Sequence, residues 1–229
     1  MAKYGIGLAS NDWQQFLPFV WQNGGELVDA QGKPTLSSPQ VVQALSEYAW
    51  YFQHNLAPKS VPADFDITKA FAAGTQPMFF SGPWIVGILN STQPQLKGKW
   101  AIAPMPRQQA GTSFVGGSNF VVFKGSEHKD AVWKFVQFVS QPGTQVTWYQ
   151  TVADLPASKQ AWQQGPLADD PNLKVFRGQL DDAKAPPVTT GWDQLATKLN
   201  EWLQKLAFGK VTPQDAATGM QKDAEGIGS

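Results

Sequence analysis

The chain has 229 residues, and its 18 basic and 18 acidic side chains leave a formal net charge of zero, so it lacks the basic surface that phosphate backbones require. Cysteine is absent, which excludes disulfides, thiolate metal sites and cysteine nucleophiles, and no apolar run approaches the roughly 18 residues of a membrane span. The length supports a sizeable core, in one large domain or two smaller ones, and most of the ten tryptophans must help to fill it.

Residues 3–9 alternate in polarity and read as a strand leading into the polar loop Ser10-Asn11-Asp12. Trp13 to Gln22 has helical spacing, and Gly24-Gly25 ends it. Residues 26–37 have turn character around Gln31-Gly32-Lys33-Pro34. Ser38-Pro39 is an N-cap followed by proline at the first helical position. Val41, Val42, Leu45, Tyr48, Ala49 and Phe52 then form one apolar stripe of a helix ending near Asn55. After a loop over 56–65, Asp66 to Ala73 is predicted as a short helix, stopped by Gly74 in a left-handed conformation. Pro77-Met78-Phe79-Phe80 reads as a short buried strand. Ser81-Gly82-Pro83 turns sharply and presents Trp84 at the strand's carboxyl end, before a helix over Ile85 to Leu89.

Trp100 to Met105 and Ser118 to Phe123 are predicted as further strands, the second followed by the turn Lys124-Gly125-Ser126. Helices are expected over about 128–140 and from Pro142 to about Gln150. Residues 153–176 are loop-rich with short helices, broken by Pro156, Pro166 and Pro171, and Pro186-Pro187 is extended. From Trp192, the spacing of Leu195, Leu199, Trp202, Leu203 and Leu206 predicts a long amphipathic helix; Gly209 stops it and Thr212-Pro213 caps the last one. No internal repeat is visible. Short strands alternating with helices argue for an α/β class.

Several of these segments resemble one family. The stretch AFAAGTQPMFFSGPW (70–84) is similar to the helix, strand and GPW turn of the extracellular solute-binding proteins of ABC importers, in the carbohydrate-binding group that includes maltose-binding protein. PFVWQNGGELV (18–28), FVGGSNFVVFKGSEHKDAVWKFVQFV (114–139) and PPVTTGWDQLATKLNEWLQKLAFGKVTPQDAA (186–217) resemble three further family segments, in the family's order. Each is weak alone; together they cover nearly the whole chain. The resemblance implies a type II periplasmic-binding-protein-like lobe in an α/β fold, truncated, with the first lobe largely missing. Residues 1–105 and 157–229 would form the C-terminal lobe, and 106–156 a hinge-crossing segment belonging to the N-terminal lobe. Met1-Ala2 reads as a new start. No basic region followed by an apolar core opens the chain, so the family's leader would have been lost with the first lobe.

Trp84 is the leading candidate ligand contact: a flat indole at a strand's carboxyl end suits the apolar face of a sugar ring, and the resemblance implies that it stacks there. Trp192, after Thr190-Gly191, matches a cleft-facing aromatic of the family, although its helix stripe would also place it in the core. Asp193 beside it offers a hydroxyl acceptor or simply complements the helix dipole. Asn11, Asp12 and Trp13 occupy a loop where the family places polar and aromatic contacts; an Asn-Asp pair can equally cap the helix. Gly116-Gly117-Ser118 would let a ligand approach the backbone, or form a plain turn. It is no phosphate loop, since no lysine follows at the required spacing. His54 and His128 lack metal-binding or catalytic context, and Asp169-Asp170 and Asp181-Asp182 read as solvated caps.

The expected function is therefore that of a substrate-binding component, or a fragment of one, of an ABC transporter: periplasmic or extracellular, without enzymatic activity, cofactor or metal. It would capture a sugar or oligosaccharide between two lobes by aromatic stacking and hydroxyl hydrogen bonds. Its partners would be the sugar, an ABC permease and a complementary N-terminal-lobe chain, and the isolated chain is expected to bind weakly or not at all. A carbohydrate-active hydrolase would need two facing carboxylates, which no matched strand ends supply. One half of a split receptor, acting as an interaction module, is the other alternative.

Overall fold

Residues 3–227 are described by the computed structural model, so Met1-Ala2, read above as a new start, lies outside the described part. Helix α1 (Trp13–Gln22) begins where expected because the Asp12 carboxylate accepts the Gln14 amide at 2.9 Å. It ends through Asn23 and Gly24, whose φ of +73° only glycine adopts without strain, and Gly25 N–H returns to the Val20 carbonyl at 2.9 Å. Helix α2 (Pro39–Gln53) buries Val41, Ala44, Leu45, Tyr48, Ala49 and Phe52. Val42, predicted within that stripe, lies at its half-buried margin. Ser38 takes the N-cap position, but its hydroxyl makes no capping bond. Helix α3 (Ile67–Ala72) is capped by Asp66, and Gly74 follows it in the left-handed region.

Later in the chain come α4 (Trp84–Thr92), strand β1 (Ser113–Phe114), α5 (Lys129–Val139), α6 (Pro142–Val152), α7 (Pro166–Asp169), α8 (Pro171–Leu180), strand β2 (Ala183–Lys184), α9 (Trp192–Ala207) and α10 (Pro213–Ile227). β1 and β2 pair in parallel, Ser113 against Ala183. Neither strand was predicted, and none of the predicted strands forms a ladder among the described residues. Residues 3–7 contribute one parallel bridge, Gly7 to Phe79, while 100–105 and 118–123 have no strand partner. An alternating segment becomes a strand only when another backbone accepts its hydrogen bonds, and local pattern cannot provide one.

The contacts divide the chain into two units, residues 1–80, 105–115 and 179–229, and residues 81–104 and 116–178. In the first unit, α1, α2, α9 and α10 enclose a core that includes Phe16, Leu17, Tyr48, Phe52, Leu199, Leu203 and Met220. Each fully buried Leu or Phe contributes roughly 1.5–3 kcal/mol. Trp202 lies over Gly219 of α10 and donates from Nε1 to Asp223 at 2.8 Å, so one of the predicted stripe residues is an interhelical tie.

In the second unit, Trp162, Ala161, Leu167 and Leu173 form a smaller cluster, against which Val146, Tyr149, Leu155 and Phe176 pack. Its α5 buries none of its residues. Phe120, Val121, Phe123, Trp133, Phe135, Phe138 and Trp148 are all exposed.

Candidate ligand-binding site

Asp12 and Trp13 begin α1, and Trp192 begins α9, so both tryptophans are held at helix N-termini by rigid elements. Their rings meet edge to face, with centroids 5.0 Å apart and planes at 83°. Phe114, from β1, presents an edge-to-face contact to Trp13 at 5.4 Å. All three are half-buried and pack against the core of the first unit. This answers the question the helix stripe left open for Trp192: one part of the indole joins the core, and another stays accessible. The aromatic corner thus has a fixed geometry on one side and solvent on the other, as a stacking surface requires.

Polar groups flank the corner. Gln15 accepts the Ala9 amide through Oε1 at 3.0 Å, and the Tyr48 hydroxyl, fully buried, donates to the Ala9 carbonyl. Burial pushes the Asp12 carboxyl above its ordinary 3.8, against hydrogen bonds from the Gln14 and Gln15 amides and the Gln15 side chain that pull it down. Burial, and then the Asp12 charge, push the Tyr48 phenol up, so it stays protonated as a donor. Because the folded pKa of Asp12 is raised, its protonated form favours the fold below about 3.8, and that advantage is lost as pH rises through the folded value. The stability of the wild-type chain minus that of Asp12→Asn, measured by urea denaturation from pH 3 to 7, is therefore expected to fall with pH and then level off. A difference that climbs with pH would refute the burial-dominated environment.

The remaining candidates fall as follows. Asn11 is exposed beside Asp12, whose capping bond confirms the helix-start reading for that residue. Asp193 is an exposed acid in the first turn of α9. Gly116, Gly117 and Ser118 are exposed without regular structure and belong to the second unit. Trp84 also belongs to the second unit. It is 52% exposed and is the first residue of α4, rather than standing on a turn ahead of the helix. Its indole folds back over Gly82, where any Cβ would collide with the ring.

His54 stacks on Trp50 and bonds its carbonyl, an ordinary helix-end contact. Asp170 caps α8 by accepting the Asn172 amide, but Asp182 does more than the solvated cap expected of it. It accepts Gly111 N–H at 3.1 Å and the Thr112 hydroxyl at 2.7 Å, tying β2 to the segment before β1. No cluster of His, Cys, Asp or Glu suited to a metal occurs among the described residues. Sequence reading missed Phe114 as a site residue and Asn200, whose Oδ1 accepts the Trp13 amide at 2.8 Å. Neither carries a local signal.

The chain has the fold of a type II periplasmic binding protein, a class that binds solutes and performs no chemistry on them. Residues 2–175 match the bacterial extracellular solute-binding proteins, and the chain belongs to that family. It is similar to the sugar-binding protein MalE of Xanthomonas citri, at 28% identity and a TM-score of 0.90, covering 98% of this chain and 58% of that one. A Brucella abortus protein described as a binding protein is 26% identical over 231 residues, 98% of this chain and 56% of its own length. The maltotriose-binding protein of Pyrococcus abyssi is 24% identical over 217 residues, 88% of this chain and 46% of its own. The chain thus spans about half the length of the curated relatives it matches. No helix among the described residues is long and apolar enough to cross a membrane.

Proposed function

We propose that this chain is the substrate-binding component of an ABC importer, or a large part of one, and that it captures a sugar or oligosaccharide outside the cytoplasmic membrane for delivery to a permease. The observation that carries this reading is the half-buried Trp13–Trp192 pair, fixed edge to face at 5.0 Å at two helix N-termini. The names of the Xanthomonas citri and Pyrococcus abyssi relatives point to the same substrate class. In this reading Trp84 stacks on a further sugar face. Asp12, Asn11 and Asp193 pair hydroxyls, and the backbone of Gly116, Gly117 and Ser118 lies close to ligand. A buried hydroxyl left unpaired costs about 1–3 kcal/mol, so such polar groups confer selectivity.

Residues 1–105 and 157–229 are assigned to one lobe of the receptor and 106–156 to the other, whose remainder is supplied by polypeptide beyond the length seen here. Within 106–156, Phe120, Val121, Phe123, Trp133, Phe138 and Trp148 are exposed, a surface suited to packing against further polypeptide. The test is a tryptophan-fluorescence titration with a saccharide panel, with and without a polypeptide corresponding to the remaining length of a relative, alongside product analysis. A saturable shift that needs the added polypeptide and leaves the sugar intact is expected. Consumption of the sugar would point to an enzyme, and no shift under either condition would reject the receptor.

A further inference from the structure

The amide of Trp13 is the first of the orphan donors at the N-terminus of α1. Asp12, the capping residue, gives its carboxylate to the next amide, that of Gln14, and so leaves the Trp13 N–H without a local acceptor. The acceptor comes from 187 residues away, as Asn200 Oδ1 at 2.8 Å. Asn200 is half-buried on α9, the helix that carries Trp192 at its start. Eight residues of helix, about 12 Å along the axis, separate the two positions. Trp13 therefore touches α9 at two separate points, through its amide at Asn200 and through its indole at Trp192. Two points fix a direction, where one would leave the ring free to swing. Neither the Asp12 cap nor the Phe114 contact can replace this, because neither belongs to α9.

We infer that Asn200 is the positioning residue of the aromatic corner: by holding the Trp13 amide it sets the angle between the two indoles, and with it the shape of the surface offered to a saccharide. The inference rests on the sugar-binding reading for its consequence, but its geometric part stands apart from that reading and is tested separately. Two indoles crossed at 83° with centroids 5.0 Å apart couple their electronic transitions and should give an exciton couplet in the far-ultraviolet circular dichroism. The couplet is assigned by its loss in Trp192→Phe.

Asn200→Leu keeps the side chain's size and removes the acceptor, whereas Asn200→Asp keeps the acceptor. The full chain is measured in each form, with Asn200→Ala replacing the leucine variant should that fail to fold. The couplet is expected to fall by at least half in Asn200→Leu and to be restored in Asn200→Asp, while the thermal midpoints show both variants folded. In the protein complemented with the remaining polypeptide, maltotriose affinity should drop roughly threefold to tenfold in Asn200→Leu and recover in Asn200→Asp. An unchanged couplet in the folded leucine variant overturns the inference whatever the affinity does. A lost couplet with unchanged affinity overturns Asn200's part in binding and the sugar-platform reading beneath it. A couplet lost equally in Asn200→Asp shows that the acceptor is not the operative group, and also overturns the inference.

Discussion

Replacing Trp192 with alanine in the complemented two-lobed receptor is expected to weaken saccharide binding at least tenfold, or about 1.4 kcal/mol. A stacked ring contributes about 1 kcal/mol beyond its buried area, and the apolar area it covers adds a comparable amount. The same substitution removes the edge-to-face partner of Trp13, so some stability is lost too, on the order of 1–2 kcal/mol. Trp192→Phe separates the two effects. Phenylalanine retains core packing and the aromatic edge, yet offers a smaller face, so stability should recover more fully than affinity. Trp84→Ala is a contrasting case, because a ring 52% exposed at the start of α4 contributes little to the fold. There the loss should appear in affinity alone. Isothermal titration with maltotriose and urea denaturation of the same preparations decide the matter. Unaltered affinity in Trp192→Ala would remove it from the site.

The helices were legible because their signals are local. Asp12 caps, Gly24 terminates, and Pro39 and Pro213 open helices at the residues where those side chains are favoured, so α1 runs over the predicted span from Trp13 to Gln22. The α9 stripe was legible for the same reason, since Leu199, Leu203 and Leu206 recur on one face and are fully buried there. Strands are a different problem. The alternation in residues 3–9 is a property of that segment, whereas a ladder is a property of two segments, and the pairings among the described residues are the Gly7–Phe79 and Val28–Pro34 bridges and the β1–β2 pair.

The candidate site divides along the same line. Trp13 and Trp192 are candidates through the family resemblance of the segments that hold them, but their meeting at 5.0 Å follows from the packing of α1 against α9. Phe114 and Asn200 reach Trp13 only through that packing, and no spacing in the chain announces them. The helix expected over about 128–140 is present as α5, whereas 118–123 forms no ladder among the described residues and Phe120, Phe123 and Trp133 are exposed.

Tyr48→Ala should be the most damaging single change to the scaffold, at about 3–5 kcal/mol, the range for removing a large buried ring. The ring is fully buried and stands edge to face with Phe16 at 5.3 Å, Phe19 at 5.7 Å and Phe52 at 5.1 Å, so it joins α1 to α2 at the centre of the first unit. Its truncation leaves a cavity that helices packed on both sides cannot readily close. The hydroxyl has a distinct role. It donates to the Ala9 carbonyl, just ahead of the Ser10-Asn11-Asp12 loop that delivers Trp13. Tyr48→Phe should therefore cost only about 1–2 kcal/mol, for a buried carbonyl left without its donor, while loosening the approach to the aromatic corner. Total stability of a domain is about 5–15 kcal/mol, so the alanine variant is expected to lose a large fraction of it and the phenylalanine variant to remain folded. Urea denaturation followed by near-ultraviolet circular dichroism measures both. An alanine variant within about 1 kcal/mol of the wild type would mean that α1 and α2 are held together by something other than this ring.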